Sequence, residues 1–282
     1  MRNGRLVRIK MQETGGKLLV HGILLFLGVC TFIPFLMMIQ LSFKDMRQFQ
    51  LERWVLSFPL HWGNYLRAWS EVGRYLFNSI TIGLVTVGGV CLFGTLTAYA
   101  LARFKFPGRE FFYYAIIALL MVPGILTLVP TFVVILKLGL MNSWWGLWGP
   151  YIAGGQVMYI FIMRSFFASL PEALFESARI DGATELQIMW HIALPLSKSM
   201  VATLAVLNLL NNWNEFVWPL MVVTDPKLMP ITVGLYTFHH QFYTEYGPLF
   251  AGYVIASIPL ILLFSFASNL FIEGLTSGAI KM

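Results

Sequence analysis

Charge is what this sequence lacks. Lys, Arg, Asp and Glu together make up 11% of the 282 residues, while residues of the hydrophobic class make up 58%. Mean hydropathy is +0.73. A soluble globular chain carries about 25% charged residues. The polar material here is too sparse to cover a surface that faces water, so the apolar excess needs lipid as its solvent. Cysteine is scarce as well. Cys30 and Cys91 lie far apart inside apolar runs and form no CxxC or Cys/His metal spacing, so they read as small packing residues and exclude redox or zinc chemistry as the theme. No GxxxxGK[ST] loop is present, so the chain has no such cradle for nucleotide phosphates. No HExxH or GxSxG occurs, and no Ser/His or paired-Asp arrangement sits at the end of an apolar run, which argues against an intramembrane enzyme.

The apolar runs are what the sequence has in abundance. No charged residue falls between Lys17 and Lys44, Arg74 and Arg103, Glu110 and Lys137, Lys137 and Arg164, or Glu245 and Glu273. Each gap exceeds the roughly 20 residues that a helix needs to cross about 30 Å of hydrocarbon. A further apolar segment, Ser199 to Val223, is interrupted only by Glu215. An all-α polytopic membrane protein with six transmembrane helices follows, at roughly 18–41, 76–102, 111–136, 143–165, 199–223 and 249–272. The first span is too long for a secretory signal and no small-x-small cleavage site follows it.

The net charge of +6 fits a membrane protein better than a nucleic-acid binder. With the N-terminus inside, the cytoplasmic set holds Arg2, Arg5, Arg8, Lys10, Lys17, Arg103, Lys105, Arg109, Arg164, Arg179, Lys198 and Lys281, the majority of the basic residues. The positive-inside rule therefore places both termini in the cytoplasm. Residues 1–17 form a cytoplasmic segment, 18–275 the six-span domain, and 276–282 a cytoplasmic tail. Two connections are too long for turns, the outer 42–75 and the inner 166–198, and long ordered loops are where function concentrates.

The inner loop carries two capping boxes, Ser169 with Glu172 and Thr184 with Gln187, and Gly182 between them suits the left-handed close of a helix. Two short helices joined by a sharp turn are expected, with Pro195 breaking the second. The first is amphipathic: Leu170, Ala173, Leu174, Ser177 and Ala178 share one face, and Glu172, Glu176 and Arg179 the other. A helix resting on headgroups would be rich in Lys and Arg. This one is mostly acidic, which suits a protein groove instead.

The run Glu176-Ser177-Ala178, three residues, Gly182, nine residues, then Ile192-Ala193-Leu194-Pro195 resembles the EAA loop of ABC-importer permeases, with Ser177 for the middle Ala as the one departure. The resemblance covers about residues 60 to 275 and is closest to the carbohydrate-uptake, maltose-type branch. Ala98-Tyr99-Ala100-Leu101-Ala102-Arg103-Phe104, Phe106 to Arg109, Asn78-Ser79, Trp213-Asn214-Glu215-Phe216 and Pro219-Leu220 are similar to that branch. It implies a type I ABC importer permease (MetI-like) bundle in a bacterial or archaeal cytoplasmic membrane. The implied partners are a second, related permease, two ATP-binding-cassette ATPase subunits and an extracytoplasmic solute-binding protein. ATP and Mg²⁺ would belong to the ATPases, with no cofactor on this chain. The loop would dock in an ATPase cleft, with Glu176 as ionic anchor, Gly182 as the turn, and Ala178 and Ile180 facing the cleft. Asp181, Ile192, Leu194 and Pro195 complete the motif segment.

Polar residues inside spans usually face a cavity or another helix. In the fifth span Asn208, Asn211, Asn212 and Glu215 recur at i, i+3, i+4 and i+7. One reading makes them interhelical glue, worth about 0.6 kcal/mol each. The other makes them the lining of a sugar path, with Trp213 and Trp218 offering flat faces to a ring. Pro123-Gly124 and Pro130 should kink the third span. Gly94, Ala98 and Ala102 should let helices approach closely. Trp62, Tyr65, Leu66 and Trp69 suggest a short interfacial helix in the outer loop. A binding protein would dock there or on the 224–248 loop, where His239-His240 reads as solvated surface. A secondary transporter or channel, working without an ATPase, is the alternative reading of the same topology.

Overall fold

The computed structural model describes the backbone of residues 2–241 and 245–279, and the side chains of 17, 19–238 and 245–268. Among the described residues every regular element is helical: α1 (Arg2–Ser42), α2 (Met46–Leu51), α3 (Gly63–Arg103), α4 (Arg109–Ala118), α5 (Gly124–Lys137), α6 (Trp144–Ala168), α7 (Glu172–Ile180), α8 (Glu185–Ile188), α9 (Leu194–Leu196), α10 (Lys198–Asn214), α11 (Val217–Val222), α12 (Ile231–Gln241) and α13 (Tyr246–Ala279). The side chains of His239 and His240 lie outside the described residues, as do those of the basic residues from Arg2 to Lys10 and of Lys281.

Leu19–Ser42, Gly63–Arg103 and Tyr246–Ser268 are each long and apolar enough to cross a bilayer. Three bent pairs, counted as one span each, bring the number to six. The pair Arg109–Met121 and Gly124–Lys137 turns by 105°. Its cause is local: Pro123 has no N–H to give and forces Val122 into extended backbone, with φ −85° and ψ 114°. The fifth span is also interrupted. Helix α10 ends at Asn214, Glu215 is extended, and α11 starts two residues later. The expected interfacial helix around Trp62 to Trp69 is not separate either, because α3 runs unbroken from Gly63 through the second span.

The chain divides into two compact units. The first comprises Met1–Ser70 and His239–Ile255. Its outer loop is folded: Asp45 and Gln48 form a capping box on α2, and the ammonium of the buried Lys44 donates to the carbonyls of Glu52 and Val55. Phe49 stacks on Tyr246 with ring centroids 4.2 Å apart. Gly247 is required there, since a Cβ would meet the Lys44 carbonyl oxygen at 2.2 Å.

Two apolar cores of the second unit, Glu71–Phe238 and Ala256–Met282, bear on the site. One joins Ile82, Ile135, Leu147, Trp218, Val222 and Val233. The other joins Ala98 and Tyr99 of α3, Tyr159, Met163 and Phe167 of α6, Phe175 and Ala178 of α7, and Ile188 and Met189 of the segment after it. At Gly94 the α3–α6 approach leaves no room for a side chain, because a Cβ would stand 2.5 Å from the Tyr159 ring. The second core therefore positions the inner loop against the ends of two spans.

Candidate functional site

The loop folds as two helices around an elbow. Helix α7 ends at Ile180, and Gly182 takes φ +83°. The Gly182 N–H donates to Arg179 O at 3.1 Å and the Ala183 N–H to Ala178 O at 3.0 Å. These two bonds are the Schellman closure, which satisfies orphan carbonyls at the helix end. Thr184 then caps α8, with Gln187 reaching back to the Thr184 N–H at 2.8 Å. The second expected capping box is therefore present.

The first is not. Ser169 lies in helical backbone as the last residue over α6 and donates to Phe166 O at 2.8 Å. Pro171 occupies the cap position of α7 without a side-chain bond. The spacing suited a box, but an N-cap needs extended backbone, and Glu172 is drawn away by a cation from another helix. Pro195 also does less than expected. A π-helical turn, Met189–Ala193, precedes it, and the chain breaks at Ser197 before α10.

The exposed and buried faces of α7 differ from the expected ones. Phe175 and Ala178, three apart, are the buried pair, and Ala178 packs inside this chain instead of facing outward. Leu174 and Ser177 are exposed. The outer edge of the elbow consists of Glu176, Ser177, Ile180, Asp181 and Gly182, with Ile180 86% exposed. Exposed Leu186 and Trp190 continue it. Ile192 and Leu194 are half-buried where the chain turns back, and Pro195 is exposed.

Residues outside the motif hold this elbow. Arg103, the last residue of α3, donates to Phe167 O at 2.6 Å, Leu170 O at 2.8 Å and the Glu172 carboxylate at 2.5 Å. Its guanidinium lies 3.7 Å over the Phe175 ring. Tyr99, one turn earlier, donates to Glu185 at 2.9 Å. Arg179 donates to both Glu185, at 2.8 Å, and Glu172, at 3.3 Å. The Glu185 carboxyl is held below the usual carboxylate range, first by the Arg179 hydrogen bond and then by Tyr99 and the Arg179 charge. At the neighbouring corner one guanidinium nitrogen of Arg164 donates to both Glu110 carboxylate oxygens, at 2.8 and 3.0 Å. Hydrogen bonding from Arg109, then the charge of Arg164, keeps Glu110 similarly low. From the sequence Arg103, Arg109, Arg164 and Arg179 bear on orientation, Arg179 also on the polar face of α7 and Arg103 and Arg109 on the family resemblance, but none is legible as a brace of the elbow. The signal that could have found them is four basic residues close to acidic ones at the ends of neighbouring spans.

The polar residues of the fifth span separate into groups. Asn212 donates to Asn208 at 2.9 Å, and Asn208 packs on Gly155 of α6. Asn211 is exposed. Glu215 leaves the helical face expected for it, because α10 has ended, and its carboxylate accepts from the backbone N–H groups of Val217 and Trp218. Trp218 is buried, donating its indole N–H to Gly146 O at 3.1 Å. Trp213 lies in an apolar fissure with Leu84, Leu209 and Pro259. A separate cavity of about 570 Å³ brings Glu215 and Trp218 together with Thr127, Thr131 and Tyr151, at the break in the third span.

Six apolar spans and a motif-bearing elbow define a polytopic membrane transport component, and the comparisons agree. Residues 91–277 match the family of binding-protein-dependent transport system inner membrane components, and the chain belongs to it. It is 34% identical to the diacetylchitobiose uptake system permease protein NgcG of Streptomyces coelicolor, over 86% of this chain and 82% of that one. It is 30% identical to the sn-glycerol-3-phosphate transport system permease protein UgpE of Yersinia enterocolitica, over 93% and 94%. The fold resembles a chain of a bacterial ABC transporter involved in import of the acidic polysaccharide alginate, with TM-score 0.77, 23% identity and coverage of 90% and 95%. The family sets the transporter apart from the secondary carrier or channel: it is a multi-pass inner-membrane component of a system that depends on a binding protein.

Proposed function

We propose that this chain is one of two membrane subunits of an ABC importer for a sugar or related polyhydroxylated solute, and that it supplies half of the translocation path. The uptake-system names of its relatives, diacetylchitobiose among them, support the solute class. In this reading both termini are cytoplasmic, two ATPase subunits bind ATP and Mg²⁺, and this chain carries no catalysis of its own. The observation that carries the reading is the elbow. A closed, rigid turn presents Glu176, Ile180 and Asp181 outward, while every other acidic residue on α7 and at the start of α8 is paired within the chain. Closure of the ATPases would push on that edge, and rigid-body rocking would switch the path between sides.

The test is detergent purification of the tagged chain from its native membrane, with mass spectrometry of what accompanies it. A Walker-motif ATPase and a second six-span chain are expected, with the ATPase lost on Glu176→Lys. A chain that purifies alone and transports solute without ATP overturns the proposal.

A further inference from the structure

Five side chains at the inner ends of the spans form one closed circuit. Arg103 donates to Glu172, Arg179 donates to Glu172 and Glu185, and Tyr99 donates to Glu185. Arg103 and Tyr99 stand four residues apart on α3, so they face the same way. Glu172 opens α7 and Glu185 opens α8. The circuit begins and ends on the second span and passes through both helices of the elbow. By chain connection the elbow joins only the fourth and fifth spans, α6 and α10.

We propose that Arg103 and Tyr99 are positioning residues that make the second span the receiver of the coupling movement, on the reading of the elbow given under Proposed function. The Arg103 side chain is only 5% exposed. Its planar fork reaches the last turn of α6, the 169–171 link and α7 at once, and the cation stacks on Phe175. A lysine brings one point charge and cannot satisfy three separated acceptors in that geometry. Removing the fork takes one donor from the Phe167 carbonyl, which keeps the Leu170 N–H, and takes the Arg103 donor from the Leu170 carbonyl, so the link between α3 and the elbow weakens. A movement imposed on α7 is therefore transmitted to α3 through stiff, charge-assisted bonds. Without them the elbow is tied to the bundle only through apolar packing and its chain connections to α6 and α10.

The native Cys91 on α3 serves as a reporter, lining a small cavity beside Trp190 and Leu194. In the complete complex carrying Cys30→Ala, N-ethylmaleimide labelling of Cys91 is timed without nucleotide and with Mg²⁺-ATP and vanadate. The expected result is a nucleotide-dependent change of about fivefold or more, the lower range of coupling between sites. Tyr99→Phe removes one oxygen and Arg103→Lys keeps the charge. Both should retain the ATPase and its basal hydrolysis but bring the labelling change close to onefold. An unchanged nucleotide effect in both variants overturns the proposal, as does a wild-type complex that hydrolyses ATP with no change at Cys91. If Arg103→Lys fails to assemble, Tyr99→Phe alone decides. A wild-type chain that retains no ATPase fails the elbow reading itself, a result separate from either labelling outcome.

Discussion

Gly182 shows how one residue governs the elbow. A Cβ there would meet nothing within 4 Å, so the requirement for glycine is conformational and not steric. The left-handed backbone costs an ordinary L-residue roughly 1–2 kcal/mol. Gly182→Ala is accordingly expected to destabilise the elbow by about that amount, and Gly182→Asn by less, since Asn visits this region more readily. Hydrogen exchange of the Gly182 and Ala183 amides, which close the turn, would check it, with faster exchange in Ala than in Asn. Equal protection in all three proteins would contradict the account. Arg103 teaches a complementary lesson. Its charge was legible in the sequence, but its partners, two carbonyl groups, the Glu172 carboxylate and the Phe175 ring, are brought together only by folding.

At the scale of elements, α7 divides its labour between faces. Phe175 is fully buried against Tyr99 and Phe167, whereas Ile180 is almost wholly exposed. Phe175→Ala should cost roughly 3–5 kcal/mol, the range for large core truncations, and lower the thermal midpoint of the detergent-purified chain. Ile180→Ala should change stability by no more than about 0.5 kcal/mol, as for other surface changes, while reducing recovery of the ATPase. Reversal of this pattern would mean that the elbow docks by its other face. The Schellman turn and the second capping box were legible because each rests on residues within five positions of one another. The first box failed for the opposite reason: Glu172 satisfies Arg103, sixty-nine positions away.

At the scale of the whole molecule, the spans supply a frame and the breaks supply the polar groups. The 105° bend in the third span and the interruption after Asn214 open backbone where a continuous helix would bond to itself. Irregular backbone at that depth is tolerated where it is buried in protein or lines a cavity, and Glu215 with Tyr151 and Thr131 borders one. Asn211 is exposed on α10, so Asn211→Leu should leave folding and ATPase recovery unchanged. Under the proposed path it should reduce solute uptake by about tenfold, equivalent to about 1.4 kcal/mol of transition-state stabilisation. Uptake at the wild-type rate would remove Asn211 from the path.

The sequence by itself determined the solvent, the number of spans and the elbow motif, because each depends on hydropathy or on residues close in the chain. Only the tertiary structure decided which face of α7 is buried, that Glu215 leaves the asparagine face, and that Trp218 bonds Gly146. It also decided that the elbow is held by Arg103 and Tyr99. These depend on distant residues competing for the same polar atoms, and that competition is settled by packing.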